Sequence, residues 1–254
     1  MKTALTIAGS DPCGGAGLQA DLRVFNSLGL HGLSVVSSLT AQNTVGVDAT
    51  LKIDASFIEA QLECLLRDIR PDALKTGMVY SGGAVAAIAC AVKTFKLANL
   101  VIDPVTISSS GMPLLEEGAL QILKEELMPL ARVITPNISE AAALSGTEVN
   151  DERDMEKAAV LLKQAGPEVV VITGGHLENE TLDLVYDGHS FHRFRAGKEK
   201  GEYHGTGCAF SAALAAHLAM GASPVTAAEK AKEFVRGAIL KARSIGKGMK
   251  ILNV

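Results

Sequence analysis

An α/β fold built on a mostly parallel sheet follows from three observations. Short β-branched runs alternate with longer Ala- and Leu-rich segments along the whole chain, the alternation that βαβ units produce. Val169-Val170-Val171-Ile172 is apolar throughout, as a central strand covered on both faces requires. Asp187-Gly188 separates two further strand-like runs, a hairpin signal that puts an antiparallel pair at the edge of the sheet.

In chain order, strands are expected at 4–8, 33–39, 73–76, 100–102, 132–134 and 169–172, where β-branched and apolar residues cluster. The helix formers between them predict helices at 16–28, 56–67, 83–93, 115–127, 138–144 and 154–164. The hairpin strands are 181–186 and 190–194. Two helices follow, 206–220 and 225–242, with Gly221 suited to the end of the first and Pro224 to the start of the second. The tail 244–254, with Gly246 and Gly248, reads as a surface extension. No proline- or serine-rich linker, low-complexity tract or repeat divides the chain, so one domain over 1–254 is expected.

The composition narrows the function. With 254 residues, 48% of them hydrophobic, the chain can bury a large core. A net charge of −4, no basic block with interleaved aromatics, no Trp and 4% aromatic residues argue against a nucleic-acid footprint or a base-stacking platform. The start passes almost at once into the first strand without a leader pattern. No run approaches the ~18 apolar residues of a membrane span. A cytoplasmic location without membrane contact is therefore expected. Cys13, Cys64, Cys90 and Cys208 lack metal-ligand spacing, and disulfides are not expected in that compartment.

Open parallel sheets collect ligands at the carboxyl ends of their strands, and several polar clusters fall there. Residues 9–21 form a glycine-rich stretch after the first strand. It lacks the Gly-x-Gly-x-x-Gly order of a dinucleotide loop and the Gly-Lys-Ser or Gly-Lys-Thr of a Walker loop. Gln42, after the second strand, is open to two readings: a hydrogen-bonded turn, or an amide offering donor and acceptor side by side to an aminopyrimidine edge. Met78 suits either packing or a soft cover for a ring. Asp103 and Glu140 sit at the ends of neighbouring strands and fit hydrated Mg²⁺, while Asn137 reads equally as a helix cap.

Gly205-Thr206-Gly207-Cys208 puts a glycine turn directly before a long run of small helix formers. Free backbone N–H groups at such a helix start favour a phosphate. Cys208 is either a small buried hydrophobe or, with the helix dipole stabilising its thiolate, a proton acceptor. His204 shapes the loop rather than completing a hydrolase-like triad with Cys208.

Taken together, 8–11, 14–22, 40–44, Lys75-Thr76-Gly77-Met78, Asp103-Pro104-Val105, Thr135-Pro136-Asn137 with Glu140, Gly174-Gly175-His176 and 205–208 resemble the hydroxymethylpyrimidine/phosphomethylpyrimidine kinases of thiamine biosynthesis, almost from end to end and in order. The resemblance implies a three-layer α/β/α ribokinase-like fold. It also implies ATP- and Mg²⁺-dependent phosphorylation of 4-amino-5-hydroxymethyl-2-methylpyrimidine and then of its monophosphate, by a homodimer. On that analogy Gly9, Asp11, Ala16, Gln42, Met78 and Cys208 hold the pyrimidine. Asn137, Thr173, Gly175 and Thr206 meet the nucleotide, Asp103 and Glu140 the metal. Gly205, Gly207 and Cys208 form the transfer centre. The closest rival is a pyridoxine or pyridoxal kinase of the same fold. A phosphate-binding module without turnover is a second alternative. One departure stands out: relatives commonly carry Lys where this chain has Thr173, and Lys198 and Lys200 are open to two readings, a substitute cation or solvent-facing loop charges.

Overall fold

The computed structural model describes residues 1–108, 111–175 and 180–254. The chain begins with β1 (Thr3–Ser10), α1 (Gly17–Ser27), β2 (His31–Gln42), β3 (Val47–Lys52), α2 (Ala55–Leu66), β4 (Ala73–Thr76), α3 (Gly82–Thr94) and β5 (Leu100–Ile102). A short α4 (Ala119–Ile122) runs into a π turn (Leu123–Leu127) and a 3-10 turn (Met128–Leu130) before β6 (Val133–Ile134), α5 (Ile138–Ser145), α6 (Glu152–Gln164) and β7 (Val169–Gly174). Then come β8 (Glu180–Tyr186), β9 (Phe191–Gly197), β10 (Tyr203–His204), α7 (Thr206–Ala219), α8 (Pro224–Leu240) and β11 (Lys250–Ile251).

Among the described residues, nine strands form one sheet in the order β3-β2-β1-β4-β5-β6-β7-β8-β9. The run from β2 to β7 is parallel, while β3 at one edge and β8–β9 at the other are antiparallel. Side-chain alternation along each strand splits the core in two. Leu5, Ile7, Val170 and Ile172 face a cluster with Ile58, Ile88, Ala141 and Leu162 from α2, α3, α5 and α6. Ala4, Val169 and Val171 face Val24, Phe25, Leu214 and Ala231 from α1, α7 and α8. Helices cover both faces, so the three-layer α/β/α arrangement is as expected. No helix among the described residues is long and apolar enough to cross a membrane.

Three expectations need correction. The helix expected over 115–127 is regular only in α4, because Gly118 takes φ of 80° and Pro129 follows in the 3-10 turn. Residues 47–52, not assigned to any element from the sequence, are β3, which extends β2 as an antiparallel edge. The tail is no free extension: β11 pairs in parallel with β10, Ile251 and Leu252 are buried, and the N–H of Met249 donates to the Thr44 carbonyl at 3.0 Å. The β2–β3 loop and the chain just before α7 are thereby both tied to the C-terminal segment.

α7 is buried nearly all round by Ala209, Ala212, Ala213, Leu214, Ala215 and Ala216. A helix apolar on every side must be enclosed, and its small side chains let it lie close against the sheet. Its N-terminus therefore opens directly onto the strand ends.

Candidate active site

At the end of β1 the chain folds around one carboxylate. Asp11 accepts N–H groups from Cys13 (3.0 Å), Gly15 (3.1 Å) and Ala16 (2.7 Å). His204, carried by β10, brings Nε2 to 2.9 Å from Asp11 Oδ2, and the same nitrogen is 3.0 Å from the side-chain amide of Gln42 at the end of β2. Burial works to raise the Asp11 carboxyl, but the hydrogen bonds from His204, Cys13 and Ala16 hold it below the usual carboxylate range. A Cβ at Gly9 would fall 2.6 Å from Ser38 Oγ and 3.1 Å from Met78 Sδ. Gly9 thus lies close against the Ser38 and Met78 side chains, with no room for a side chain of its own as they stand.

The Gly205 turn joins this wall to α7. Gly205 has φ of 82°, and a Cβ there would lie 1.8 Å from the Gly15 carbonyl oxygen, so both its backbone conformation and its neighbour require glycine. The first-turn N–H groups of Thr206, Gly207 and Cys208 have no acceptor within the helix. Gly207 is exposed, Thr206 and Cys208 half-buried. Burial pushes the Cys208 thiol up to about 12. The Lys75 ammonium opposes that rise, the Asp103 and Asp21 carboxylates add to it, and the Gly17 N–H opposes it. The helix dipole does not win, and of the two readings the sequence left open for Cys208 the thiol, not the thiolate, holds at neutral pH.

Beneath Cys208 lies a buried charge network. Lys75, fully buried, donates to both Asp21 oxygens at 2.7 and 2.8 Å, and Thr6 Oγ1 donates to the same carboxylate at 2.6 Å. Burial disfavours the Lys75 ammonium, but Asp21, Cys208 and Asp103 around it hold its pKa above the ordinary lysine value. Ser211, one turn after Cys208, donates to Asp103 Oδ2 at 2.8 Å. Removing one member of such a pair costs about 3–5 kcal/mol. Sequence reasoning gave this network no role. The signal it passed over is Lys75 itself, a cation inside a strand whose four residues are all buried.

Asp103 and Glu140 meet at the ends of β5 and β6–α5. Both are about 5% exposed. Burial first, and then repulsion from Asp103, push the Glu140 carboxyl up to about 8, against N–H groups from Asn137 and Thr106. Asn137 and Glu140 cap α5 reciprocally: Glu140 Oε2 accepts the Asn137 N–H at 2.9 Å and Asn137 Oδ1 accepts the Glu140 N–H at 3.0 Å. Thr173 bridges to Asn137, and its N–H donates to the Pro136 carbonyl at 2.9 Å. Gly175 is exposed just beyond β7, while His176 lies outside the described residues. Lys198 and Lys200 are exposed between β9 and β10. A cation the sequence reading did not single out, Lys232 on α8, sits 3.0 Å from Asp183 Oδ2, and the other oxygen of that carboxylate accepts the Gly174 N–H at 3.3 Å.

The expected residues therefore fall into two groups: Gly9, Asp11, Ala16, Gln42 and Met78 around β1 and β2, and Asp103, Asn137, Glu140, Thr173 and Gly175 around β5 to β7. Gly205–Cys208 lies between them. The sequence pattern of the family described as Phosphomethylpyrimidine kinase matches residues 11–253. This chain belongs to the phosphomethylpyrimidine kinase family. It is similar to the hydroxymethylpyrimidine/phosphomethylpyrimidine kinase of Rhizobium meliloti, with 43% identity over 250 residues covering 96% of this chain and 94% of that one. The thiamine biosynthesis bifunctional protein ThiED of Geobacter sulfurreducens is 42% identical over 246 residues, 96% of this chain and 50% of that protein. The chain thus spans about half the length of the bifunctional relative. Among solved structures it resembles the pyridoxal kinase from Staphylococcus aureus in complex with AMP-PCP, with a TM-score of 0.92 and 33% identity, covering 99% of this chain and 93% of that one. These kinases share the ribokinase-like α/β fold seen here.

Proposed function

We propose that this phosphomethylpyrimidine kinase family member transfers the γ-phosphoryl group of ATP to 4-amino-5-hydroxymethyl-2-methylpyrimidine, and then to its monophosphate, for thiamine biosynthesis. The observation that carries this reading is the place of the Gly205–Cys208 turn, set between an amide-lined wall and a pair of buried carboxylates. A ring held by Gln42, Gly9 and Met78 points its hydroxymethyl group at Cys208. The N–H groups of Thr206, Gly207 and Cys208 stabilise charge on the phosphoryl group in flight. Asn137, Thr173 and Gly175 border the nucleotide.

The residues fit a divalent cation. Both carboxylates are buried, Asp103 helps push Glu140 up to about 8, and the Lys75 ammonium 3.9 Å from Asp103 is held chiefly by Asp21, which leaves room for a further positive charge. Asp103 and Glu140 would hold Mg²⁺ directly or through water, where it would neutralise ATP oxygens. In a loose transition state the attacking hydroxyl keeps its proton until late, so Cys208 works as a protonated group that orients the hydroxyl. For the second transfer the nucleophile is a phosphate oxygen that needs no base.

The likeness to a pyridoxal kinase favours a second reading, phosphorylation of pyridoxine or pyridoxal at the same site. Product analysis with ATP and Mg²⁺ separates the two. The first reading expects monophosphate and then diphosphate of the aminopyrimidine, with higher kcat/KM than for pyridoxine. A marked preference for pyridoxine contradicts it, and binding without ATP consumption for either ring contradicts both. The reading also includes one kinase domain over 1–254, a cytoplasmic location and a homodimer. Cross-strand neighbours Leu39 and Leu51, both exposed on the β2–β3 edge, support the homodimer, and sedimentation equilibrium tests it.

A further inference from the structure

Asp11, Gln42 and His204 meet at a single nitrogen, and counting protons there fixes which way the Gln42 amide faces. His204 Nε2 is 2.9 Å from Asp11 Oδ2 and 3.0 Å from the Gln42 atom placed as nitrogen. Which amide atom is oxygen is an assignment settled by the hydrogen-bond network. Asp11 accepts N–H groups from Cys13, Gly15 and Ala16 and has no proton to give, so the proton between the two side chains belongs to Nε2. The other ring nitrogen, Nδ1, is buried without a partner. That suits a bare nitrogen, since a buried N–H without an acceptor is costly.

With Nε2 protonated, an NH₂ aimed at it would set donor against donor. The far end of the amide gives the same answer. Thr40 Oγ1 lies 2.8 Å from the Ser10 carbonyl and 3.1 Å from the second Gln42 atom. A hydroxyl has one proton, and the carbonyl takes it, so Thr40 can only accept from Gln42. Both ends therefore place the Gln42 oxygen toward His204 and its NH₂ toward Thr40. The imidazole packs directly on Gly15, where a Cβ would fall 2.3 Å from His204 Cδ2, and the His204 backbone pairs with Ile251 of β11.

We propose that His204, held by Asp11, is a positioning residue that fixes the Gln42 amide in this orientation and so makes the pocket selective for a ring edge with an exocyclic amine beside a ring nitrogen. The free lone pair of the Gln42 oxygen accepts from the amine, and its remaining N–H donates to the ring nitrogen. The selectivity rests on the kinase reading above; the orientation does not.

The test compares His204→Met, which removes the donor, with His204→Gln, which keeps an N–H at the Nε2 position. The substrates are the aminopyrimidine and its analogue lacking the amine. His204→Met should raise KM for the aminopyrimidine about tenfold, the loss of roughly one hydrogen bond. Turnover, KM for ATP and KM for the deaminated ring should each stay within about twofold. His204→Gln should restore most of the loss. Ring ¹⁵N shifts of the substrate-free enzyme should show a protonated Nε2 and a bare Nδ1. Equal KM increases for both rings overturn the selectivity, and a bare Nε2 overturns the orientation. If the wild-type enzyme phosphorylates no aminopyrimidine, the kinase reading and the selectivity fall together, and the ¹⁵N result alone decides the orientation.

Discussion

At the β1–β2 end of the site, Asp11, Gln42 and His204 satisfy one another, and Asp11 is held below the usual carboxylate range. At the β5–β7 end, Asp103 and Glu140 are buried, the Lys75 ammonium 3.9 Å from Asp103 is held chiefly by Asp21, and Glu140 is pushed up to about 8. On the proposed function the first is the ring end, finished before any ligand arrives, and the second is the phosphate end, completed by what binds there. That difference matches the two tasks. Selecting a ring needs hydrogen-bonding groups already oriented. Phosphoryl transfer needs charge that arrives with the nucleotide and its cation.

Asp103→Asn should break the phosphate end alone. Turnover should fall about 10³-fold, as when a main electrostatic contributor is lost, while ring affinity stays within about twofold. An equal loss of ring affinity, read by calorimetry, would show that the ends are not separable. Gly205→Ala strikes the joint between them, because its Cβ would meet the Gly15 oxygen at 1.8 Å. Activity should fall about 10²-fold, since small misplacements of reacting groups cost that much. Stability in urea should drop by about 1–3 kcal/mol from the strained backbone. Wild-type activity in this variant would mean that the close approach is not needed.

Cys208→Ser sharpens the comparison at the hinge. Single-turnover rates should fall about tenfold for the first transfer and within twofold for the second, because only the first uses a hydroxyl nucleophile. Equal losses at unchanged binding would refute a step-specific role.

The smallest effect concerns pH. Glu140 sits at about 8 against an ordinary 4.5, so in the cation-free enzyme the unfolded chain gives up this proton first as pH rises. Stability should therefore decline between about pH 5 and 8, by up to roughly nine degrees in Tm. Mg²⁺ should restore it, and Glu140→Gln should flatten the slope. A wild-type Tm that rises with pH across that window without Mg²⁺ contradicts the unmet charge at Glu140.

How far the sequence reached also differs between the ends. Asp103, Asn137 and Glu140 were legible because each follows a strand within a few residues, and parallel strands bring such ends together. Gln42 and Asp11 were legible for the same reason. Their partner His204 was not, because 193 residues separate it from Asp11 and only the path of the chain before α7 brings them together. The tail misled for a similar reason: Gly246 and Gly248 look like loop residues, yet a Cβ at either would collide with Thr44, so these glycines mark a close approach. Lys75 and Asp21 lie 54 residues apart on β4 and α1, and no local pattern announces that pair.

The comparison is tested most directly by titrating the aminopyrimidine and a non-hydrolysable ATP analogue separately into the enzyme, with and without Mg²⁺. The ring should bind with a Kd that changes by less than about twofold when Mg²⁺ is removed, while the nucleotide weakens at least tenfold, roughly 1.4 kcal/mol. A ring affinity that depends on Mg²⁺ as strongly as the nucleotide's would contradict a substrate pocket already complete at β1–β2.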